Sequence, residues 1–339
     1  MRKGNLNVEL EIPSYEKSVS EFISTPTGTF RAGDLIVDKN GVRIISQNED
    51  EPPNLIRLSD NQLTLADMDI IKVIGKGNGG VVHLVQHKWT GQFFALKVIQ
   101  VNIPEPNRRQ IAQELKINQS AQSPYVVVCY QSFYDNGFIS IVLEYMDGGS
   151  LADFLKKVQT IPEKYLAAIC KQVLMGLLYI HHDKHIIHRD LKPSNLLINH
   201  TGAVKITDFG VSAILESTSD QPERIRGGKH GPKSDIWSLG LVLLECATGK
   251  FPYSPPEEGG WVNCFELMET IVNQPPPCAP SDRFSPEFCS FISACLQKDP
   301  NHRHSARKLM EHPFISMYED SNVDFAAYFN KAGSPLATF

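Results

Sequence analysis

The chain has 339 residues, with 33 basic against 38 acidic side chains, a net charge of −5 and 42% hydrophobic residues. That length allows about two compact units, each able to bury a core. The acidic balance and the lack of any Lys/Arg block argue against a nucleic-acid-binding protein. Seven cysteines are scattered with no C-x-x-C pair, which argues against a zinc site or a disulfide framework. They read as buried, reduced thiols of a cytosolic or nuclear protein. Neither a secretory leader nor a lipid anchor is expected, since Met1-Arg2-Lys3-Gly4 leads into polar residues and position 2 is not glycine.

In chain order, residues 1–25 read as a polar tail. Residues 29–45 read as a β-hairpin: Leu35-Ile36-Val37, the turn Asp38-Lys39-Asn40-Gly41, then Val42-Arg43-Ile44-Ile45. It is placed outside the main core. Residues 46–60, with Pro52-Pro53, read as a linker. A strand-rich unit follows over 68–145. Its strands are expected at Ile70-Ile71-Lys72-Val73-Ile74, Val81-Val82-His83-Leu84-Val85, Phe93 to Ile99, and Ile139 to Leu143. A helix over 107–119 is read from Ile111, Leu115 and Ile117. The second unit is helical. Leu166, Ile169, Val173, Leu177 and Ile180 make a helical stripe within 162–181. Residues 236–247 are the most apolar helix, too short to span a bilayer, so no membrane insertion is expected. Residues 252–280 are rich in Pro and Gly and read as a surface loop.

His188-Arg189-Asp190-Leu191-Lys192-Pro193-Ser194-Asn195, followed at thirteen residues by Asp208-Phe209-Gly210, is the most informative string. It resembles the catalytic loop and metal-binding triplet of protein kinases. Phosphoryl transfer needs a carboxylate facing the acceptor hydroxyl, which Asp190 would supply. It also needs Mg²⁺ on the phosphates, which Asn195 and Asp208 would hold. Upstream, Gly75-Lys76-Gly77-Asn78-Gly79-Gly80-Val81-Val82 fits G-x-G-x-x-G-x-V. A dinucleotide-binding domain carries the same spacing, but its glycine loop opens a helix. Here the loop lies between two strands, as a flap whose glycines let backbone N–H groups approach phosphate. Ile74 and Val82, flanking it, are read as nucleotide-binding with Gly75, Gly77 and Gly80. Lys97 stands alone in an apolar strand and matches the lysine that pairs the α- and β-phosphates. Glu114 is its expected partner. The 144–150 segment is read as the hinge against which adenine packs. There the Glu144 and Met146 backbones bond the ring, with Leu143 behind it. Asp235 is assigned equally to capping its helix and to anchoring the catalytic-loop backbone.

The complete set predicts an α+β, two-lobed protein kinase fold, with a small β-rich lobe and a larger helical one. The Lys192-Pro193 pair resembles serine/threonine kinases, and Lys192 would contact the γ-phosphate. Asp208 to Ser212, Leu143 to Leu151 and Lys233 to Gly240 resemble MAP kinase kinases. Val85 to Trp89, Glu114 to Gln119 and Val127 to Tyr134 are similar to the plant branch of that family. The resemblance covers nearly the whole chain. It implies a dual-specificity enzyme that uses ATP and Mg²⁺ to phosphorylate Thr and Tyr on a downstream MAP kinase, under an upstream MAP kinase kinase kinase. It also implies an N-terminal extension over 1–67, a kinase domain over 68–314 and a C-terminal tail over 315–339. In the extension, Arg2 and Lys3 followed by Leu6, Val8 and Leu10 fit a MAP kinase docking peptide: two cations, then alternating apolar residues on one face. Arg303 would pair with Glu223. Thr218 matches the first phosphorylated position of plant members, with Arg189 as the cation that would meet its phosphate.

One departure from the family stands out. Only eleven residues separate Gly210 from Pro222, and the second phosphorylated position has no counterpart, because Arg224 stands there. The stretch reaches about 36–40 Å when extended. It bridges the lobe but leaves little chain for a substrate platform. An alternative expectation follows: a protein that binds ATP and docks a MAP kinase without phosphorylating it.

Overall fold

The computed structural model describes residues 22–25, 29–32, 35–44, 63–77, 80–101, 105–210, 213–214, 231–253, 264–319 and 323–332. The first sheet has four antiparallel strands in chain order: β1 (Phe22–Thr25), β2 (Thr29–Ala32), β3 (Leu35–Asp38) and β4 (Gly41–Ile44). The expected hairpin is therefore its second half, with the Asp38-Lys39-Asn40-Gly41 turn closing Asp38 onto Gly41. Phe22-Ile23-Ser24-Thr25 and Thr29-Phe30-Arg31-Ala32 carry few apolar residues, which hides their strand character.

The small lobe is a five-stranded antiparallel sheet in the order β5-β6-β7-β9-β8. These are β5 (Met68–Gly77), β6 (Gly80–His87), β7 (Phe93–Gln100), β8 (Cys129–Asp135) and β9 (Phe138–Glu144). Helix α1 (Glu105–Ser120) packs against it. The first sheet does not stand outside this lobe. Phe30, Leu35 and Val37 are at most 1% exposed, and they share one apolar cluster with Ile111 and Leu115 of α1 and Ile139 and Ile141 of β9. The Gln131 amide oxygen accepts from the Val42 N–H. Edge strand β8 is thereby covered, which is how folded sheets avoid exposing an unpaired edge.

The large lobe is helical: α2 (Leu151–Val158), α3 (Glu163–Leu178), α4 (Lys233–Thr248), α5 (Cys264–Asn273), α6 (Pro286–Cys295), α7 (Ala306–Met310), α8 (Pro313–Ser316) and α9 (Phe325–Lys331). Ser150 and Asp153 form a capping box that starts α2. After Leu178 the chain widens into a π turn, Tyr179–Asp183. Helix α5 occupies the middle of the stretch read as a surface loop. Its spaced Phe265, Leu267, Met268 and Val272 were masked by the surrounding prolines and glycines. Near the C-terminus, α9 buries Phe325 and Phe329 in the large-lobe core, and Tyr328 stacks on Tyr165 at 3.9 Å. Short strands β10 (Ile186–Ile187), β11 (Leu196–Ile198), β12 (Val204–Ile206) and β13 (Ala213–Ile214) frame the loops between the lobes, paired β10-β13 and β11-β12. Among the described residues, no helix is long and apolar enough to cross a membrane. Four of the described cysteines are buried (129, 170, 246 and 295), while Cys278 is exposed.

Candidate active site

A cavity of about 420 Å³ opens between the lobes. Ile74, Val82, Ala95, Leu143, Met146 and Leu197 give it apolar walls, and Lys97, Glu114, Asn195 and Asp208 give it a polar end. Apolar walls with a few convergent polar groups suit a ring-bearing ligand with a charged tail.

The glycine turn sits above this cavity. β5 and β6 pair Gly77 with Gly80 across it, and Gly75 lines the cavity while Gly77 and Gly80 lie outside its lining. Gly80 has φ +114°, and a Cβ there would fall 2.2 Å from the Val98 carbonyl oxygen, so only glycine fits. Lys97, on β7, is held from two directions. Its Nζ lies 2.5 Å from Glu114 Oε1 on α1 and 3.3 Å from Asp208 Oδ1. Burial disfavours the Lys97 charge, but the two carboxylates outweigh it and hold the ammonium above its ordinary value. Burial likewise pushes Asp208 up, and Lys97 more than reverses this, leaving its carboxyl below the usual range.

The catalytic loop is built around Asp235. That carboxylate is 0% exposed, accepts from the His188 and Arg189 N–H groups at 2.8 Å each, and meets His181 Nε2 at 2.7 Å. The cap of α4 is Pro232, with no side-chain cap bond. Asp235 therefore anchors the loop and does not cap the helix, because it sits one turn in and points at the loop. Its two bonds hold Arg189 at φ +69°, a left-handed conformation that is costly for a non-glycine residue. The Arg189 side chain is exposed. His188 Nδ1 accepts from the Asp190 N–H at 3.3 Å, so Nε2 carries the proton and donates to the Thr207 carbonyl at 2.9 Å. Asp190 is partly exposed and meets Lys192 Nζ at 2.7 Å. Asn195 Nδ2 donates to the Asp190 carbonyl at 2.8 Å and to Oδ2 at 3.1 Å. This orientation leaves the Asn195 amide oxygen as the atom able to meet a cation.

The hinge residues have further partners. The Glu144 N–H is taken by the Val128 carbonyl at 2.8 Å, so only its carbonyl is left for a ligand. Its carboxylate meets Lys205. Arg303 donates from Nε, Nη1 and Nη2 to the carbonyls of Gln297, Lys233 and Lys298, and lies over Trp237. Glu223, Thr218, Arg2, Lys3, Leu6, Val8 and Leu10 lie outside the described residues. Sequence reasoning missed His181 and Lys205. Neither belongs to a motif, and only the pairing of distant segments reveals them.

Magnesium fits the polar end. Asp208 and the Asn195 amide supply hard oxygen ligands, and Mg²⁺ typically takes one or two protein oxygens plus phosphates. Among the described residues, no cluster of three or more His, Cys, Asp or Glu that would suggest a metal cage is present.

Comparison with known proteins gives this geometry a family. The protein kinase domain matches residues 68–315. The mitogen-activated protein kinase kinase SIPKK of Nicotiana tabacum is 67% identical over all of this chain and 99% of its own length. Mitogen-activated protein kinase kinase 2 of Arabidopsis thaliana is 64% identical over all of this chain and 97% of its own. Mitogen-activated protein kinase kinase 1 of the same plant is 61% identical over 96% of each. The first two alignments run over 354 positions, against 339 residues here, so each relative has positions without a counterpart in this chain. With a two-lobed kinase fold and full-length matches of this identity, the chain belongs to the protein kinases and, among them, to the plant MAP kinase kinases.

Proposed function

We propose that the chain phosphorylates Thr and Tyr of a downstream MAP kinase, using ATP with Mg²⁺, and is itself switched on by an upstream MAP kinase kinase kinase. The observation that supports this most is Lys97, gripped by Glu114 and Asp208 at the polar end of an apolar cavity. In this reading adenine lies between Ile74, Val82 and Leu197, and the Glu144 carbonyl and Met146 backbone bond its edge. Gly75, Gly77 and Gly80 carry the flap over the phosphates. Lys97 holds the α- and β-phosphates, and Lys192 meets the γ-phosphate. Asp190 accepts the proton of the attacking hydroxyl, at a carboxylate already aligned by Asn195 and Lys192. Asn195 and Asp208 would hold Mg²⁺, which would neutralise phosphate charge. Positioning carries most of the rate in such a transfer, so the anchoring of the loop by Asp235 matters as much as the reacting groups.

The regulatory and docking roles are part of the same proposal. Phosphate on Thr218 would pair with the exposed Arg189, and residues 1–20 would tether the MAP kinase. A cytosolic or nuclear location goes with these partners. The alternative of a non-phosphorylating ATP-binding protein rests on the short 211–221 stretch alone, which lies almost wholly outside the described residues. The deciding assay presents a catalytically dead MAP kinase with Mg·ATP and maps phosphate on its Thr and Tyr. Transfer lost in Asp190→Asn supports the proposal; binding of Mg·ATP without transfer by the parent chain refutes it. Thr218→Asp and Thr218→Ala behaving alike would remove the switch, and undiminished MAP kinase capture without residues 1–20 would remove the tether.

A further inference from the structure

We infer that Lys205 is a positioning residue for the nucleotide, pinning the hinge to the large lobe through the Glu144 side chain; this rests on the reading of the cavity as the ATP site. Glu144 is the last residue of β9 in the small lobe, and Lys205 is the middle residue of β12 in the large lobe. Lys205 Nζ lies 2.6 and 2.8 Å from the two Glu144 carboxylate oxygens. The side chains are only 12% and 19% exposed, so water screens the pair weakly. Glu144 Oε2 also accepts from the Val128 N–H at 3.2 Å, and the Val128 carbonyl accepts from the Glu144 N–H. Val127 N–H in turn donates to the Ile206 carbonyl, and Ile206 N–H to the Tyr125 carbonyl, at 2.9 Å each. Three passages of chain, 125–128, 144 and 205–206, are thus tied at one point.

The far end of the hinge is tied as well. Asp147 accepts from the His200 N–H at 2.8 Å and meets its Nδ1 at 2.6 Å. Gly148 N–H donates to the Ile198 carbonyl, and a Cβ at Gly148 would fall 2.6 Å from Phe329. The backbone that would bond adenine is therefore suspended between two attachments to the large lobe. The Lys205 attachment has a second consequence. Thr207 N–H donates to the Asn195 carbonyl, and Asp208 follows directly, so the strand that carries Lys205 also places the polar end of the cavity. A cation at 205 thus sets the spacing between the adenine edge and the phosphate end. An ion pair serving only to hold β12 would need no partner on the hinge.

Lys205→Met keeps the stem and removes the charge. It is expected to raise the Kd and KM for Mg·ATP about tenfold, within the range of coupling between contacting groups. The kcat should stay within about threefold, and backbone amides at 144–149 should exchange faster without nucleotide. Lys205→Arg, which restores a cation able to grip both oxygens, should match the parent. Glu144→Gln keeps the acceptor for Val128 and carries the same test should Lys205→Met fold poorly. The double variant should bind no more weakly than Lys205→Met alone. Parent-like affinity and exchange in Lys205→Met, independent addition of the two substitutions, or a fall in kcat with KM unchanged would each overturn the pin. Failure of the parent chain to take up Mg·ATP would instead refute the ATP reading, and the amide exchange would still decide the pin.

Discussion

Asp235 and Lys97 are both buried beside the cleft, and they are stabilised in different ways. Asp235 lies inside the large lobe, and its three partners, His181, His188 and Arg189, belong to the same lobe. Lys97 lies in the small lobe, and its partners come from α1 and from Asp208, beyond β12. The first is a fixture: its geometry holds as long as one core holds. The second is a junction: it exists only while helix, sheet and large lobe stand in register. A buried charge stripped of its partners is costly, so the first arrangement secures the catalytic loop permanently, whereas the second makes the phosphate grip depend on how three elements are arranged.

Substitutions can break or sharpen this contrast. Asp235→Ala should have the largest effect on the fold, since it orphans two backbone N–H groups and one histidine. A loss of about 3–5 kcal/mol in a denaturant titration is expected, with activity lost as well. A loss below about 1 kcal/mol would mean that the loop holds itself. Lys97→Met should act mainly on chemistry, lowering turnover by about 100- to 1000-fold, as when a preorganised transition-state contact is removed. Its stability should fall by less than about 3 kcal/mol. Burial already pushes the Glu114 carboxyl up, and Lys97 is what opposes this, so removing the lysine shifts the carboxyl further in the direction that eases its burial. Equal stability losses in the two variants would erase the distinction. Leu35→Ala probes the first sheet. If that sheet shares the small-lobe core, the melt should show a loss of about 2–3 kcal/mol; a change within error would detach it. At the small end, Lys171 and Glu319 pair at 2.7 Å but are 45% and 53% exposed. Lys171→Ala should change stability by no more than about 1 kcal/mol.

The two charges also set opposite ends of the pH profile. Burial pushes Asp235 up, yet the His181 bond and the neighbouring imidazoles hold its folded-state value below that of a free carboxyl. Such a group contributes stability above its unfolded value, about 3.9, and loses it as pH falls through the lower folded value. Asp208 behaves alike. Lys97 is raised, so its contribution is complete below about 10.4 and is lost as pH rises through the folded value. Stability followed by denaturant melts should therefore show no step from these groups between about pH 5 and 10. Glu114, pushed up by burial, loses its contribution as pH rises through its folded value, so the decisive result is a step inside that window that vanishes in Asp235→Ala, which would contradict the assigned direction.

The chemistry of the cleft was legible in the chain because it is carried by contiguous strings. Gly75 to Val82, His188 to Asn195 and Asp208-Phe209-Gly210 each hold their function within a few residues, where local spacing is itself the geometry. The strands that flank them were legible for the same reason, since alternation and turn residues are local. What tertiary structure decided concerns residues whose meaning lies in a distant partner. Asp235 reads equally as a cap or an anchor until the loop 47 residues away is seen to donate to it. Lys205 is an ordinary strand lysine until Glu144, 61 residues away, is found against it. Phe30 and Leu35 belong to an isolated hairpin until α1 and β9 close over them. Burial and pairing are properties of the packed core, because desolvation acts on a side chain only once distant segments exclude water from it.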